Sequence, residues 1–544
     1  MRRSLNILLL IAMLCASCHR NGNEDRMIFR YNESAGLSTL DPAFAKDQAH
    51  IWVCGQLYDG LIQLDSSLTP QPALAKRWTI SDDGLTYTFT LRDDVRFHKS
   101  EWFGTADSTR RLVANDVVYS FNRILDPKIA SPGLWIFESV ADNGFSAPND
   151  TTFVIRLKEP FSPFLSMLGM PYCSVVPHEV AEHYGADFGR HACGTGPFRL
   201  QLWKEGVKLV MRRNDDYFEK DSSGHRLPYL DAVAVNFIVD RQTAFLEFIK
   251  GNLDFMNSLD ASYKDEILTR TGQLKSKYAD HIDMVSTPFL NTEYLGILME
   301  NNSSPLSDKR IRQAINYGFD RRKMMKYLRN NIGVPGCGGI IPRGLPGFDD
   351  KESAYEYNPQ KAKELLAEAG YPNGKGLPTL TLATTSNYLD LCKYMQQQLG
   401  LIGIDIKLDV NPPAALREQI AQGKSQWFRG SWIADYPDAE NYLSLFYSPN
   451  KAPIGPNYTH FSNKKYDELY RQVKRCTDEN KRLEIYKKMD RIISEEAPII
   501  VLYYDQILHF TQKNVTGLRS NAMNALDLKR VKKSQVPPRP TQSD

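Results

Sequence analysis

Beyond one short run near its start, the 544-residue chain contains no long apolar stretch. No other segment reaches the roughly 18 consecutive apolar residues of a spanning helix, so no membrane span is expected after that run. Lysine and arginine together number 67 against 64 acidic residues, and the two signs are interspersed along the chain. A nucleic-acid binder concentrates its basic residues on one face or helix, and nothing of that kind is present. GxSxG and P-loop patterns are missing. The run His178-Glu-Val-Ala-Glu-His183 approaches a zinc-protease helix. That helix needs its second histidine four residues on, where Glu182 stands, and His183 lies about 140° around the helix from His178. The expected element there is an amphipathic helix after Pro177. No CxxC or Cys/His cluster follows the N-terminal run, so no structural zinc and no cofactor are expected. Nothing nominates a nucleophile with a positioned base. An enzyme is therefore not expected, an exported hydrolase being the weakest alternative.

What the chain does have begins with an address. Arg2 and Arg3 precede an apolar run over 7–16, and Ala16 and Ser17 lead into Cys18. A charged segment, a short apolar segment and small residues before a cysteine resemble a bacterial lipobox. Cys15 is a poorer acceptor, because bulky Leu14 precedes it. The expectation is a signal peptide over 1–17, lipid at Cys18, and attachment to a membrane on the extracytoplasmic or periplasmic side of a bacterial envelope. An anchor of two or three acyl chains holds more firmly than one. Cys54, Cys173, Cys193, Cys337, Cys392 and Cys476 remain, and no disulfide pairing is selected by spacing.

At roughly 150 residues per domain, the length implies three or four units. Helix and strand patterns intermix, which predicts an α/β fold. In 86–91, Tyr87, Phe89 and Leu91 alternate with three threonines, the pattern of a half-buried strand. Asn358 and Pro359 start a helix that Gly370 ends, with Ala362, Leu365, Leu366 and Ala369 on its buried stripe. Two amphipathic helices are expected over 466–493, broken near 477–480, with an apolar strand over 499–504. The basic, proline-containing end, 529–544, reads as a loose tail.

Several stretches occur in an order that carries a resemblance: LAKRWTISDDGLTYTFTLRDDVRFH (74–98), ANDVVYSFNRILDP (114–127), GTGPF (194–198) and RRNDDYF (212–218). YLGILMENNSSPLSDKRIRQAINYGFDRRKM (294–324), YNPQKAKELLAEAGY (357–371) and SWIADYPDAENYL (431–443) follow. Together they resemble the family 5 extracytoplasmic solute-binding proteins of oligopeptide, dipeptide and nickel ABC importers, from about residue 40 to 518. The resemblance implies a type II periplasmic-binding-protein fold, two jaws with a hinge plus an additional lobe. Carried onto this chain, the lobes are 27–60 with 190–280 and 500–535, then 61–189, then 285–499. GTGPF reads as a turn between lobes. The implied partners are a short peptide, the permease of an ABC transporter and a membrane through the lipid, with no nucleic acid and a monomeric chain.

In peptide-binding members, the acidic residue of a W-x-x-D motif meets the ligand's α-ammonium, and Asp435 matches it by spacing from Trp432. A fixed carboxylate replaces the water that an enclosed ammonium loses. Asp438 and Glu440 read as helix caps or surface charges. Arg429 matches an arginine that meets the peptide carboxylate in some members, its fork suiting that acceptor. Trp432 and Tyr436 would wall the ammonium site, and Tyr294 would touch ligand. The loop 384–390, TTSNYLD, lacks the arginine that some dipeptide-binding members place there, which shifts weight to Arg429. Nickel- or haem-binding relatives give the alternative ligand class. Replacing the proposed lipid acceptor, Cys18→Ser, is expected to move the protein from the membrane fraction to the soluble extracytoplasmic fraction with ligand affinity unchanged. Mass spectrometry showing an unacylated wild-type protein would end that expectation.

Overall fold

The computed structural model describes residues 27–534 apart from 260–262, 301–302 and 350–353. The expected signal peptide and Cys18 lie outside the described residues, and no described helix is long and apolar enough to cross a membrane.

An 11-stranded mixed sheet runs through the molecule. Its order is Ile406–Val410, Leu380–Thr384, Trp427–Ile433, then the long antiparallel pair Ile282–Ile297 and Ile499–Gln512. Beyond the pair lie Phe255–Asn257, Ile28–Asn32, Ala232–Asn236, Lys208–Arg213 and Phe198–Lys204, while Val334–Pro335 pairs on the side with Ile499–Gln512. The expected apolar strand at 499–504 is thus the first half of a longer one. Its residues alternate between two cores: Ile500 and Leu502 join Leu295, Trp427 and Leu382, whereas Ile499, Val501 and Tyr504 join Tyr294, Phe428 and Tyr442. A strand buried on both faces reads as a continuous apolar run, which is why this one does.

A separate four-stranded antiparallel sheet contains Ala75–Ile80, Thr86–Leu91, Thr152–Leu157 and Val140–Asn149. Thr86–Leu91 buries Tyr87, Phe89 and Leu91 and leaves its threonines half-covered, as the alternation requires. The helix Pro359–Glu368 begins where Asn358 Oδ1 accepts from Lys361 N at 2.9 Å, and it buries Ala362, Leu365 and Leu366. Gly370 beyond it has φ +92°, a conformation that only glycine adopts cheaply. Helices Lys464–Lys474 and Glu479–Glu496 fill the expected pair, with Asp478 capping the second.

His178–Tyr184 is a short helix whose two histidines part: His178 lies 3.3 Å from Glu179, and the His183 ring stacks 3.4 Å from Trp102. Two arginines of the 294–324 motif are buried without a carboxylate partner among the described residues. Arg312 donates to the carbonyls of Leu306, Ser307, Glu496 and Ala497, and Arg321 to those of Asn316 and Val501. Burial pulls the Arg321 guanidinium down to about 10.

The segment 529–534, expected to begin a loose tail, is instead tied to the body. Lys529 Nζ donates to Glu219 at 2.9 Å and Gln63 at 2.6 Å, Val531 is fully buried, and Lys533 pairs with Asp254 at 2.8 Å. The rest of that expected tail lies outside the described residues.

The GTGPF turn is set by close approach. A Cβ on Gly194 would meet Leu57 O at 2.3 Å, and one on Gly196 would meet Leu57 C at 2.4 Å. Thr195 between them donates to Asp59 at 2.8 Å. Because that neighbour is backbone, Gly196→Ala is expected to lower the unfolding free energy by about 1–3 kcal/mol. Urea or thermal unfolding measures it, and an unchanged midpoint would show that the contact yields without cost.

Candidate functional site

The 431–443 motif begins at the end of strand Trp427–Ile433, which pairs antiparallel with Ile282–Ile297 so that Trp432 lies opposite Thr292. The chain then leaves the sheet. Ala434 N donates to Leu290 O at 2.9 Å, and Glu440–Leu443 forms a single helical turn. Asn441, on that turn, organises the motif. Its Oδ1 accepts from Trp432 Nε1 at 2.8 Å and from Asp435 N at 3.2 Å, and its Nδ2 donates to Asp435 Oδ2 at 3.3 Å. Asp435 and Trp432 are therefore brought together through one amide.

The Asp435 side chain is solvent-exposed, yet the surrounding protein strips enough water to push its carboxyl above the ordinary aspartate value. Among the described residues it has no cationic partner within ion-pair distance. Its charge is felt across the gap by Tyr172, whose phenol burial pushes up to about 12 with a further contribution from Asp435. Tyr436 turns inward instead: it is buried, its hydroxyl donates to Glu440, and its ring lies 5.9 Å from Trp135. It packs behind the site.

Asp438 and Glu440 correct the expectation of surface charges. Asp438 does cap the turn, accepting from Glu440 N at 2.9 Å, but it is buried, accepts from Tyr486 Oη at 2.5 Å and lies 3.9 Å from Arg482. Glu440 is buried and accepts from the hydroxyls of Tyr436 and Tyr470. Buried carboxylates need such donors to offset lost hydration.

Arg429 and Tyr294 are placed elsewhere. Arg429, an odd number of positions from Trp432, points to the opposite face of the strand. There its Nη2 is held by the buried Glu293 carboxylate, and its guanidinium lies 3.4 Å from the Tyr388 ring centroid. Tyr294 is 4% exposed and packs in the core over Gly430. Around Arg429, Asn291 Nδ2 reaches Glu293 at 3.1 Å and Asp505 at 3.3 Å, and Arg329 pairs with Asp505 at 2.6 Å. Sequence reasoning missed Asn441, Tyr172, Glu293, Tyr388 and Asp505. Glu293 did leave a signal, a lone acid in an otherwise buried strand segment.

With this geometry in place, the comparisons are decisive about class. The family model for bacterial extracellular solute-binding proteins, family 5 middle region, matches residues 69–453, and the chain belongs to that family. The glutathione-binding protein GsiB of Salmonella typhi is 28% identical over 490 residues, covering 89% of this chain and 90% of that protein. The periplasmic binding protein DppA of Helicobacter pylori, solved with the peptide STSA, is 26% identical with a TM-score of 0.71, covering 92% of this chain and 98% of that one. HbpA2 of Haemophilus parasuis shares the fold, at TM-score 0.82 and 23% identity, covering 93% of this chain and all of that one. The fold is the type II periplasmic-binding-protein fold of family 5, and the chain is an ABC-type substrate-binding protein.

Asn441→Ala removes the acceptor of two N–H donors and the donor that fixes Asp435. It is expected to lower the unfolding free energy by about 1–3 kcal/mol, read from denaturant unfolding.

Proposed function

We propose that the protein captures short peptides on the extracytoplasmic side of a bacterial membrane and delivers them to the permease of an ABC importer. Asp435 receives the ligand's free amino terminus, and Trp432 forms one wall. The observation that carries this reading is a carboxylate that is exposed, partly desolvated, held by a neutral amide and without a cation. A peptide ammonium supplies the missing charge. GsiB, named for glutathione, and DppA, solved with STSA, support a peptide ligand, since each of those ligands carries an α-ammonium. A nickel complex or haem would leave Asp435 without a partner. The hydrolase alternative finds no support in GsiB or DppA, each of which is named as a binding protein.

In this reading the three lobes are 27–60 with 190–280 and 500–535, then 61–189, then 285–499. The strand pair Ile282–Ile297 and Ile499–Gln512 acts as the hinge. A monomer is tied to the membrane by lipid at Cys18.

Removing one partner of a desolvated ion pair costs about 3–5 kcal/mol. Asp435→Asn should therefore weaken binding of free peptides by roughly two to four powers of ten. N-acetylated peptides should bind wild type poorly and lose little more in the variant. Calorimetry on all four combinations measures the coupling, and simple additivity would remove the amino terminus from Asp435. Because desolvation raises the Asp435 carboxyl, it protonates at a higher pH than an ordinary aspartate. Affinity should then fall on acidification sooner than an unperturbed carboxylate would allow, a trend that Asp435→Asn abolishes.

A further inference from the structure

A cavity of about 600 Å³ opens between the four-stranded sheet and the helices Lys464–Lys474 and Glu479–Glu496. Tyr87 of the sheet lines one wall with Phe161 and Leu165, and Arg482, Leu483 and Tyr486 of the second helix line the other. The walls are joined at Ser162, whose Oγ donates to Cys476 O at 3.1 Å. Asp435 and Trp432 do not line this cavity. Its unexplained group is Arg482, whose side chain is 18% exposed. Arg482 Nε is buried with no acceptor among the described residues, and Nη2 lies 3.9 Å from Asp438 Oδ2, beyond hydrogen-bond reach. Asp438 is itself committed to Tyr486 Oη at 2.5 Å and Glu440 N at 2.9 Å. The Tyr87 phenol, which burial pushes up to about 12, feels the Arg482 charge in the opposite sense, so the guanidinium acts across the gap. Five N–H donors taken this far from water need acceptors.

We propose that this cavity is a second binding site, for a small organic acid carrying one negative charge. Arg482 receives its carboxylate, and Phe161, Leu165 and Leu483 take its apolar body. The proposal does not depend on the peptide reading of Asp435. The volume lies within the range of small-molecule sites, about 300–1,000 Å³. A guanidinium fork suits a carboxylate in bidentate geometry. A wholly polar anion such as phosphate would leave the apolar wall unused. Charge then limits the ligand. Lys474 and Arg475 line the cavity with Arg482, and they share Glu159 at 3.6 and 3.5 Å. Asp82, Asp438 and Glu479 line it too. Asp82 and Glu479 are exposed and screened by water, which leaves Asp438 as the acid met at depth. A ligand carboxylate in hydrogen-bond contact, at about 2.8 Å, holds Arg482 more closely than Asp438 does at 3.9 Å, and Lys474 and Arg475 add to the attraction. A second carboxylate would meet the acids with no further deep cation to answer it.

The probes are hexanoate, its neutral counterpart hexanamide, the dianion adipate and inorganic phosphate, with binding read by calorimetry and by saturation transfer in NMR. Wild type is expected to bind hexanoate saturably, and the other three about tenfold or more weakly, the size of one charge-assisted contact. Arg482→Gln should weaken hexanoate by about tenfold and leave hexanamide within about threefold. Ser166→Trp adds bulk to the cavity from the Phe161 side and should weaken hexanoate and hexanamide alike. Asp435→Asn should change neither. Circular dichroism and the thermal midpoint without probe establish that each variant is folded, and Ser166→Trp keeps the test decisive if Arg482→Gln is not. The proposal is overturned if wild type does not bind hexanoate, or binds hexanamide, adipate or phosphate as tightly. Hexanoate binding that survives Arg482→Gln or Ser166→Trp overturns it as well. So does its loss in Asp435→Asn, which would place the probe at the 431–443 motif.

Discussion

The pairing of Ile282–Ile297 with Ile499–Gln512 is the constraint on which the rest hangs, and its most consequential feature is where it breaks. Register runs unbroken from Ile282 opposite Gln512 to Pro288 opposite Gln506, then resumes with Thr292 opposite Tyr504. Residues 289–291 thus face Asp505 alone. Backbone groups expelled from a ladder must be satisfied elsewhere. Leu290 N donates to Ala522 O at 2.9 Å, and Leu290 O accepts from Ala434 N at 2.9 Å and from Tyr442 Oη at 2.6 Å. The irregularity therefore holds the 431–443 motif at two points, Ala434 and Tyr442. Pro288, which has no N–H to give a ladder, stands at its edge.

The same break organises the charges. Asp505, released from regular pairing, turns to Arg329 and Asn291, and Asn291 turns to Glu293. On the far side of the strand Trp427–Ile433, the acids Asp438 and Glu440 are buried against tyrosine hydroxyls. Each of these carboxylates has found its donors inside the protein. Asp435 stands apart, because the residue is exposed and its carboxylate accepts from one side chain, Asn441.

Local elements were legible where their cause is local. The helix Pro359–Glu368 carries its cap, its first-turn proline, its stripe and its terminating glycine within a dozen positions, and Thr86–Leu91 carries its face in its alternation. The ordered motifs pointed to the family, and the structure brings Asp435 and Trp432 together on the amide of Asn441. What sequence could not show was partnership across distance. Arg429 and Glu293 are 136 positions apart, and Arg329 and Asp505 are 176 apart, so nothing near Arg429 announces that it is taken. Arginine is usually exposed, and the buried Arg312 and Arg321 depart from that rule because carbonyls at helix and strand ends need donors. The tail from 529 misled for the converse reason: its lysines look solvated in sequence, but Glu219 and Asp254 fold against them.

Asn441 explains how an unpaired carboxylate can be held still without being neutralised. Its oxygen accepts from two donors, Trp432 Nε1 and Asp435 N. Turning the amide over would set an NH2 group against two N–H groups, so the orientation is forced by chemistry. With the oxygen committed, the nitrogen must face Asp435, where it contributes one neutral hydrogen bond. Had a lysine or arginine stood there instead, the peptide ammonium proposed for this site would have to compete with a resident cation. Had nothing stood there, the carboxylate would sample several rotamers, and each would have to be frozen on binding. A neutral donor of fixed sense avoids both costs. It aims the charge of Asp435 while leaving that charge unspent, and the same amide accepts from the Trp432 indole.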